Sequence, residues 1–328
     1  MSLPEVLRGP LTVPVVAAPM FLASGPDLVI AQCQAGVVGS MPTLNARTSA
    51  ALDEWLTRIP EELAAFGAAH PDRYVAPYAM NLIVHRSNDR LDDDVQAVVD
   101  HRVPVVITSL GAREDVNDAI HSYGGIVLHD VIDDRFAHKA VEKGADGLIA
   151  VAAGAGGHAG TLSPFALIRE IRAWFDGPLL LSGAIAHGRS VLAAQAVGAD
   201  LAYVGSAFLS THEANVVDSY KDMVVAGSAA DIIYSNLFTG VHGNYLRGSI
   251  EAAGLDPQAL PVSDPSAMNF GTAGGSDAKA WRDIWGSGQG IGAITARRSV
   301  ADLVDRLREQ YDQALAELVA GRQPQPVG

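Results

Sequence analysis

The stretch Pro178–Leu209, PLLLSGAIAHGRSVLAAQAVGADLAYVGSAFL, contains two apolar runs separated by a helical segment. The runs Pro178–Ile185 and Leu201–Leu209 are apolar over successive residues, which is typical of strands that a parallel sheet buries on both faces. The segment between them, Arg189–Val197, has the length of a connecting helix. This order of strand, helix and strand indicates a parallel β-α-β unit.

Six further apolar runs precede this unit along the chain. They are Val13–Met20, Val37–Pro42, Tyr78–Val84, Val103–Gly111, Ile126–Ile132 and Gly147–Ala153. Segments of helical length separate most of them: Asp27–Ala35, Leu91–His101, Arg113–Tyr123, Arg135–Lys143 and Pro164–Phe175. Asp27 and Ser163 are the residue types expected at helix N-caps. Repeated units of this kind form an open doubly wound sheet or a barrel, and a total of eight favours an α/β fold of the (β/α)8 TIM-barrel type.

The alternation of strands and helices stops after the eighth run. A helix is predicted near Asn215–Ala226, followed by loop-rich sequence over Thr239–Gly248. A last amphipathic helix is predicted at Val300–Val319. We therefore predict a barrel formed by residues 1–210 and 277–328 and, inserted before its last helix, a small helical and loop-rich substrate subdomain formed by residues 211–276.

Composition excludes several classes of protein. The 328 residues carry a formal net charge of −14 and contain no basic cluster, so nucleic acid and anionic membrane surfaces are not expected partners. The single cysteine, Cys33, cannot form an intrachain disulfide. The segment Met1–Pro10 lacks the pattern of a secretory signal, and no apolar run is long enough to span a bilayer. We expect a cytoplasmic enzyme with a small-molecule substrate, and a homo-oligomer is an open possibility.

Functional residues of a barrel lie at the carboxyl ends of its strands. In this chain those ends carry small, polar and glycine residues on otherwise apolar strands. In strand order they are Pro19-Met20-Phe21, Met41-Pro42-Thr43, Asn81, Thr108-Ser109, His129-Asp130, Gly156-Gly157-His158, Ser182-Gly183-Ala184 and Gly205-Ser206. We expect these residues to form one rim.

The glycine clusters after the seventh and eighth runs are candidate phosphate-binding turns. Backbone N–H groups in such turns bind phosphate without lysine or arginine, and barrels commonly place a phosphate site there. A tight turn explains Gly183 or Gly205 equally well when each is taken alone. Their presence on adjacent strands favours a phosphate site.

The segment AAGAGGHAG, Ala152–Gly160, places four glycines and one imidazole after the sixth run. A histidine titrates near neutrality, so His158 suits proton abstraction from a weak carbon acid. A structural loop histidine bonded to a carbonyl is the alternative. The position in a glycine-rich loop on the predicted rim favours the catalytic interpretation.

These motifs, in this order, resemble those of the nitronate monooxygenases, formerly called 2-nitropropane dioxygenases, and of the related FMN-dependent NADH:quinone reductases. The similarity extends over nearly the whole chain. It includes APM at Ala18–Met20, MNL at Met80–Leu82, GGHAG at Gly156–Gly160, SGAIAHG at Ser182–Gly188, GADLAYVGSAFL at Gly198–Leu209, TGVHGNYLRGSI at Thr239–Ile250 and WGSGQGIG at Trp285–Gly292.

The resemblance implies a barrel that holds one FMN at its carboxyl rim, with His158 as the catalytic base. It places Ala18, Pro19, Met20 and Phe21 near the isoalloxazine ring, Asn81 at the polar edge of that ring, Ser182, Gly183, Ala184, Gly205 and Ser206 at the phosphate, and Gln289 and Gly290 over the flavin. Ser109, His129 and Gly157 complete the expected cofactor contacts. Met20, Phe21, His158 and Tyr245 are the expected substrate contacts.

Several positions depart from the family pattern, including the loop before His158, which reads Ala-Gly-Ala where characterised nitronate enzymes often carry Glu-Ala. Many relatives carry a lysine after the fifth strand that contacts the flavin, where this chain has Leu128-His129-Asp130, and we expect His129 to replace it. Many relatives read GTRF after the eighth strand, where this chain has Gly205-Ser206-Ala207-Phe208. This last departure removes a cationic contact.

Three functions are compatible with these residues. The first is FMN-dependent oxidation of alkyl nitronates by O2 to a carbonyl compound and nitrite. The second is reduction of a quinone or an enoyl thioester by NAD(P)H, with His158 as a hydrogen-bond donor. The third is flavin binding without catalysis, which has no need of His158. No histidines show paired ligand spacing on a helix face, so we predict no metal site.

Overall fold

Eight buried strands line the centre of the protein in the computed structural model, which describes residues 3–263 and 282–321. They are β1 (Val15–Ala17), β2 (Gly39–Pro42), β3 (Tyr78–Ile83), β4 (Val105–Ser109), β5 (Ile126–Val131), β6 (Gly147–Val151), β8 (Leu179–Ser182) and β9 (Leu201–Val204). The strand between β6 and β8, β7 (Gly157–His158), belongs to a second sheet. Each of the eight lies within one of the predicted apolar runs.

The eight strands form a closed parallel barrel. Their order is β1-β9-β8-β6-β5-β4-β3-β2, and a parallel bridge between Val16 and Val38 joins the two ends of that order. The amide of Ala17 donates to the carbonyl of Val38 over 2.8 Å. Closure leaves no strand edge without a partner, and it confirms the predicted TIM barrel.

Helices surround the barrel in the predicted alternation. They are α1 (Pro26–Gln34), α2 (Ser49–Ala69), α3 (Leu91–Asp100), α4 (Glu114–His121), α5 (Asp134–Glu142), α6 (Pro164–Arg172), α7 (Gly188–Val197), the short α8 (Ser206–Leu209) and, after the insertion, α11 (Val300–Ala320). Helix α2 was not predicted, because Pro60 interrupts its pattern. None of the helices in the described ranges is both long and apolar enough to cross a membrane.

Local capping explains where several helices begin. Thr48 and Asp133 accept hydrogen bonds from the amides of Ala51 and Phe136, so α2 and α5 start one residue later. The predicted cap at Asp27 is wrong. Gly25 is the N-cap of α1, Pro26 takes the first helical position, and the Asp27 carboxylate lies in the first turn.

The two faces of the barrel wall bury different sets of side chains. Side chains that point inward form one cluster, which includes Val16, Ala79, Val105, Ile107, Leu128, Ile149, Leu180, Leu201 and Tyr203. Their neighbours along each strand, such as Val106 and Val127, pack against the helices. Because side chains alternate between faces, the inward set continues at the carboxyl rim with Asn81, Ser109 and Asp130.

An ion pair with little exposure ties α6 to the loops that precede β8 and β9. The Arg172 guanidinium lies 2.6 Å from the Asp200 carboxylate, and the two side chains are 6% and 17% exposed. Arg172 also donates to the carbonyls of Gly177 and Gly198, and Asp200 accepts from the amide of Leu179. The pair is therefore embedded in further hydrogen bonds, as a buried pair requires.

The insertion contributes a hairpin of two strands, which the sequence analysis did not predict. Strand β10 (Ile232–Ser235) pairs antiparallel with β11 (Gly243–Leu246), and β11 pairs antiparallel with β7. The prediction of loop over Thr239–Gly248 is therefore wrong at its centre. The predicted helix near Asn215–Ala226 is α9 (Asp218–Ala226), and α10 (Arg247–Ala252) follows β11. The predicted boundary at residues 276 and 277 lies outside the described residues.

Candidate active site

A chain of polar side chains crosses the inner rim from β3 to β5. The Asn81 amide donates to Ser109 Oγ over 2.8 Å, and Ser109 Oγ donates to Asp130 Oδ2 over 2.5 Å. Asp130 Oδ1 is buried without a hydrogen-bond partner among residues 3–263 and 282–321. Burial raises the pKa of Asp130 to about 6, against the lowering effect of the Ser109 hydrogen bond.

His129 lies on the opposite face of β5 and does not join this chain. Its Nδ1 is 2.6 Å from Thr108 Oγ1, and its neighbours Val127 and Val131 pack against the helix layer. Burial, together with the charge of Lys139 on α5, lowers the pKa of His129 to about 4. The inward position on β5 that we assigned to His129 is therefore that of Asp130, because adjacent residues of a strand face opposite sides.

His158 is held at the rim by a residue of the insertion. Its Nε2 lies 2.9 Å from Thr239 Oγ1, and that hydroxyl donates to the carbonyl of Val241 over 3.0 Å. Since the hydroxyl proton is directed to Val241, the hydrogen-bond pattern assigns the imidazole proton to Nε2 and the lone pair to Nδ1. Burial lowers the pKa of His158 to about 4, so the ring is neutral at physiological pH.

The backbone around His158 is fixed by the second sheet. Gly157 and His158 on β7 pair with Asn244 and Gly243 on β11. The Asn244 side-chain amide also donates to the carbonyl of Ala155 over 2.6 Å. The hairpin therefore determines where the imidazole stands. Thr239 was not singled out as a site residue, because its contact with His158 joins segments that are 81 residues apart.

Tyr245 lies behind this arrangement and not on its surface. Its side chain is wholly buried and packs edge-on against Phe238, with ring centroids 4.8 Å apart. That Tyr245 forms a wall of the substrate site stays a prediction. Burial raises the pKa of the Tyr245 phenol, and its hydrogen bond with the Thr239 side chain lowers that pKa. Tyr245 therefore supports Thr239 from within the insertion.

The glycine-rich segments after β6, β8 and β9 meet the loop before α11. The carbonyl of Gly154 accepts from the amides of Ala184 and Gln289, at 3.2 and 2.9 Å. The amide of Gly288 donates to Ser206 Oγ over 2.8 Å. The structure thus brings together the predicted residues Gly157, Ser182, Gly183, Ala184, Gly205, Ser206, Gln289 and Gly290 in four adjoining segments. Gly183 has φ +140°, a conformation that favours glycine.

Gly205 differs from the other glycines of this region. Added Cβ atoms at Gly156 and Gly290 would lie 2.9 and 2.7 Å from backbone atoms, so the polypeptide itself requires those glycines. At Gly205 φ is −108°, and a Cβ would make only ordinary contacts, 3.5 Å from Ala18 and 3.9 Å from Met20. Packing within the chain does not explain glycine at this position, whereas close approach of a ligand does.

The segment after β1 forms another part of the rim. Phe21, 39% exposed, follows Pro19 and Met20, and Leu22 adopts φ +63°. Asn45 fixes this turn, since its side chain accepts from the amide of Leu22 and donates to the carbonyl of Met20. Asn45 was not recognised from the sequence, where it carries no motif.

A flavin fits these residues. The unpartnered Asp130 Oδ1 in the lumen offers an acceptor to a ring N–H, and Asn81 and Ser109 lie beside it. The hydroxyl of Ser287, next to the amide of Gly288, is also buried, with no hydrogen-bond partner among the described residues. Backbone amides of the glycine-rich segments are suited to a phosphate. Within the described residues, no group of three or more His, Cys, Asp or Glu side chains is placed to hold a metal ion.

Fold and site together define an oxidoreductase built on a (β/α)8 barrel. The family model described as nitronate monooxygenase matches residues 8–310, and the chain belongs to that family. The enzymes of this family act on small molecules, and membership implies a flavin cofactor.

Individual relatives are distant. A protein of Mycobacterium tuberculosis that is named as a monooxygenase is 28% identical over 66% of this chain, and the match spans 62% of that relative's length. A nitronate monooxygenase from Paraburkholderia phytofirmans is 25% identical over 93% of this chain and 94% of its own. The structure of nitroalkane oxidase from Streptomyces ansochromogenes has a TM-score of 0.78 at 22% identity, covering 95% of this chain and all of the other. The last likeness supports the fold.

Proposed function

We propose that this protein oxidises alkyl nitronates with FMN and O2, giving a carbonyl compound and nitrite. The single observation that carries the proposal is a neutral imidazole, His158, fixed by Thr239 at a rim that fits a flavin. Family membership and the name of the full-length Paraburkholderia relative agree with this activity.

The cofactor would be held by two groups of residues. Backbone amides of Gly183, Ala184, Gly205 and Ser206 would bind the phosphate, and Ala18, Pro19, Met20, Asn81 and Ser109 would surround the ring. Gln289 and Gly290 would cover it. When bound, FMN supplies the electron acceptor for the substrate and passes electrons to O2.

His158 has two tasks in this proposal. Its Nδ1 would remove the α-proton of a neutral nitroalkane and, once protonated, would donate a hydrogen bond to an oxygen of the nitronate. Thr239 would keep the ring in one orientation and one tautomer. Phe21 and Met20 would exclude water from the reacting carbon. We propose residues 211–276 as the substrate subdomain, because its hairpin holds His158.

The proposal is tested by the spectrum of the purified protein and an anaerobic titration. We expect flavin absorption bands that are bleached by an alkyl nitronate, with nitrite formed when O2 is admitted. Rapid bleaching by NADH, with no response to nitronate, would instead establish the NAD(P)H-dependent reductase. A protein that binds FMN but responds to neither would be a flavin-binding protein without this catalysis.

A variant of His158 separates its two tasks. His158→Asn should lower kcat/KM on a neutral nitroalkane by about 100-fold or more, the usual contribution of a general base, and lower it far less on the preformed nitronate. His138→Asn, on the outer helix α5, is the matched control and should change neither rate. Equal losses on both substrates in His158→Asn would remove the base role.

A further inference from the structure

Asp130 is a carboxylate enclosed in the lumen of the barrel. It follows the inward Leu128 by two residues on β5 and is therefore on the same face of that strand. Burial raises the pKa of Tyr203, another side chain of the inner cluster, and the nearby charge of Asp130 raises it further. These two observations place the carboxylate in the lumen of the barrel, at the carboxyl-end side of the apolar side chains that fill it.

Only one of the two carboxylate oxygens of Asp130 is hydrogen-bonded within the described residues. Oδ2 accepts from Ser109, whose hydroxyl accepts in turn from Asn81, while Oδ1 is buried and has no partner in the part of the chain that the structure describes. A buried carboxylate oxygen without a donor is costly, and such groups are uncommon unless a ligand completes them. Burial raises the pKa of Asp130 and the Ser109 hydrogen bond lowers it, and no cation of the described residues contributes.

We propose that Asp130 is a flavin-binding residue that accepts a hydrogen bond from the imide N–H of the isoalloxazine ring and disfavours the reduced, anionic form of the cofactor. The inference rests on the proposed FMN site. The imide N–H is the ring's one donor on its pyrimidine edge, and a carboxylate has no proton to offer the two flanking carbonyls. Asn81 and Ser109, which do carry donors, lie beside Asp130 on the same rim.

The negative charge of Asp130 affects the reduced flavin in a way that a hydrogen bond from the imide N–H alone would not. Two-electron reduction of a flavin leaves a negative charge on the pyrimidine portion of the ring. A carboxylate at that edge, away from bulk water, repels this charge strongly because the local dielectric constant is low. Asp130 therefore makes the apoprotein prefer oxidised over reduced FMN.

Two substitutions separate charge from hydrogen bond. Asp130→Asn keeps an acceptor oxygen and removes the charge; Asp130→Leu removes both. The probes are oxidised FMN, reduced FMN and N3-methyl FMN, and the readouts are their Kd values with the apoprotein and the midpoint potential of the bound flavin. Asp134→Asn, an exposed carboxylate on the outer helix α5, is the matched control.

We expect Asp130→Asn to raise the preference for reduced over oxidised FMN about tenfold, equivalent to about 30 mV for a two-electron couple. Wild type and Asp130→Asn should both discriminate against N3-methyl FMN, whereas Asp130→Leu should not. If Asp130→Asn shifts the preference no more than Asp134→Asn does, the inference is wrong while the FMN site stands. A wild-type protein that takes up no flavin contradicts both, and since Asp130→Asn is isosteric, the result does not depend on whether Asp130→Leu folds.

Discussion

The Nε2 atom of His158 and the Oγ1 atom of Thr239 lie 2.9 Å apart, and the Thr239 hydroxyl is bonded in turn to the carbonyl of Val241. The imidazole of the rim is thus oriented by a side chain of the insertion, and the same hydroxyl selects its tautomer. This relationship makes Thr239 a positioning residue for His158 and leads to the first prediction.

Thr239→Val should weaken proton abstraction without removing the base. Valine has the shape of threonine but cannot accept from Nε2, so the imidazole loses its fixed tautomer. We expect kcat on a neutral nitroalkane to fall about 10-fold or more, with little change on the nitronate. Thr239→Ser keeps the hydroxyl and should retain most of the rate. Equal rates for the valine and serine variants would exclude a positioning role.

The rate on neutral nitroalkanes should depend on pH through a group with a low pKa. His158 must be neutral to accept a proton, and burial lowers its pKa to about 4. The neutral form therefore persists as the pH falls from 7 to 5, and kcat/KM should fall to half only near pH 4. Steady-state rates between pH 4 and 8 measure this. An acid limb near 6.5 would show that the free enzyme does not shield the imidazole.

Gly205→Ala should weaken FMN binding while leaving the apoprotein stable. An added Cβ finds ordinary contacts with Ala18 and Met20, so the unfolding free energy should change by less than about 0.5 kcal/mol. The same Cβ would meet a bound phosphate, and we expect the Kd for FMN to rise at least 10-fold.

Gly156→Ala is the contrasting variant for this prediction. Its Cβ would lie 2.9 Å from the amide nitrogen of Gly288, so the apoprotein itself should lose about 1–3 kcal/mol in a urea titration. Unchanged FMN affinity in Gly205→Ala would mean that no ligand approaches that turn.

Removing one partner of the Arg172–Asp200 pair should destabilise the fold. Arg172→Met leaves the Asp200 carboxylate little exposed and without its cation, which costs about 3–5 kcal/mol. Asp200→Asn in the same chain removes the stranded charge and should restore part of the loss. Urea unfolding of the single and double variants gives the coupling directly. Additive losses would show that the two groups act independently.

The barrel was predictable because its signal is local. Strands buried on both faces have continuous apolar runs, and each of the eight runs contains the corresponding strand. Which rim residues point into the lumen was harder to predict from the sequence. His129 and Asp130 are adjacent, so a shift of one residue in the expected register moves a side chain from the lumen to the helix layer. Both residues were named at this rim, but the contact was assigned to the outward one.

The features that were not predicted depend on partners distant in sequence. Strand β11 reads Gly-Asn-Tyr-Leu, which has weak strand character, and it forms because β7 and β10 pair with it on either side. Asn45 and Thr239 likewise gain their importance only through residues that folding brings to them. Neither kind of contact has a periodicity that a single sequence displays.

The ladder between β7 and β11 links two properties that enzyme engineers usually alter separately. The connection from Ser235 to Gly243 carries Thr239, which contacts His158, and the strand that it leads into pairs with the backbone of His158. Replacing or shortening the hairpin would therefore change proton transfer to His158 as well as substrate preference. Redesign of this loop is best confined to position 237, because Phe238 packs against Tyr245, Gly240 has φ +78°, and Thr239 and the pairing of Gly243 hold His158.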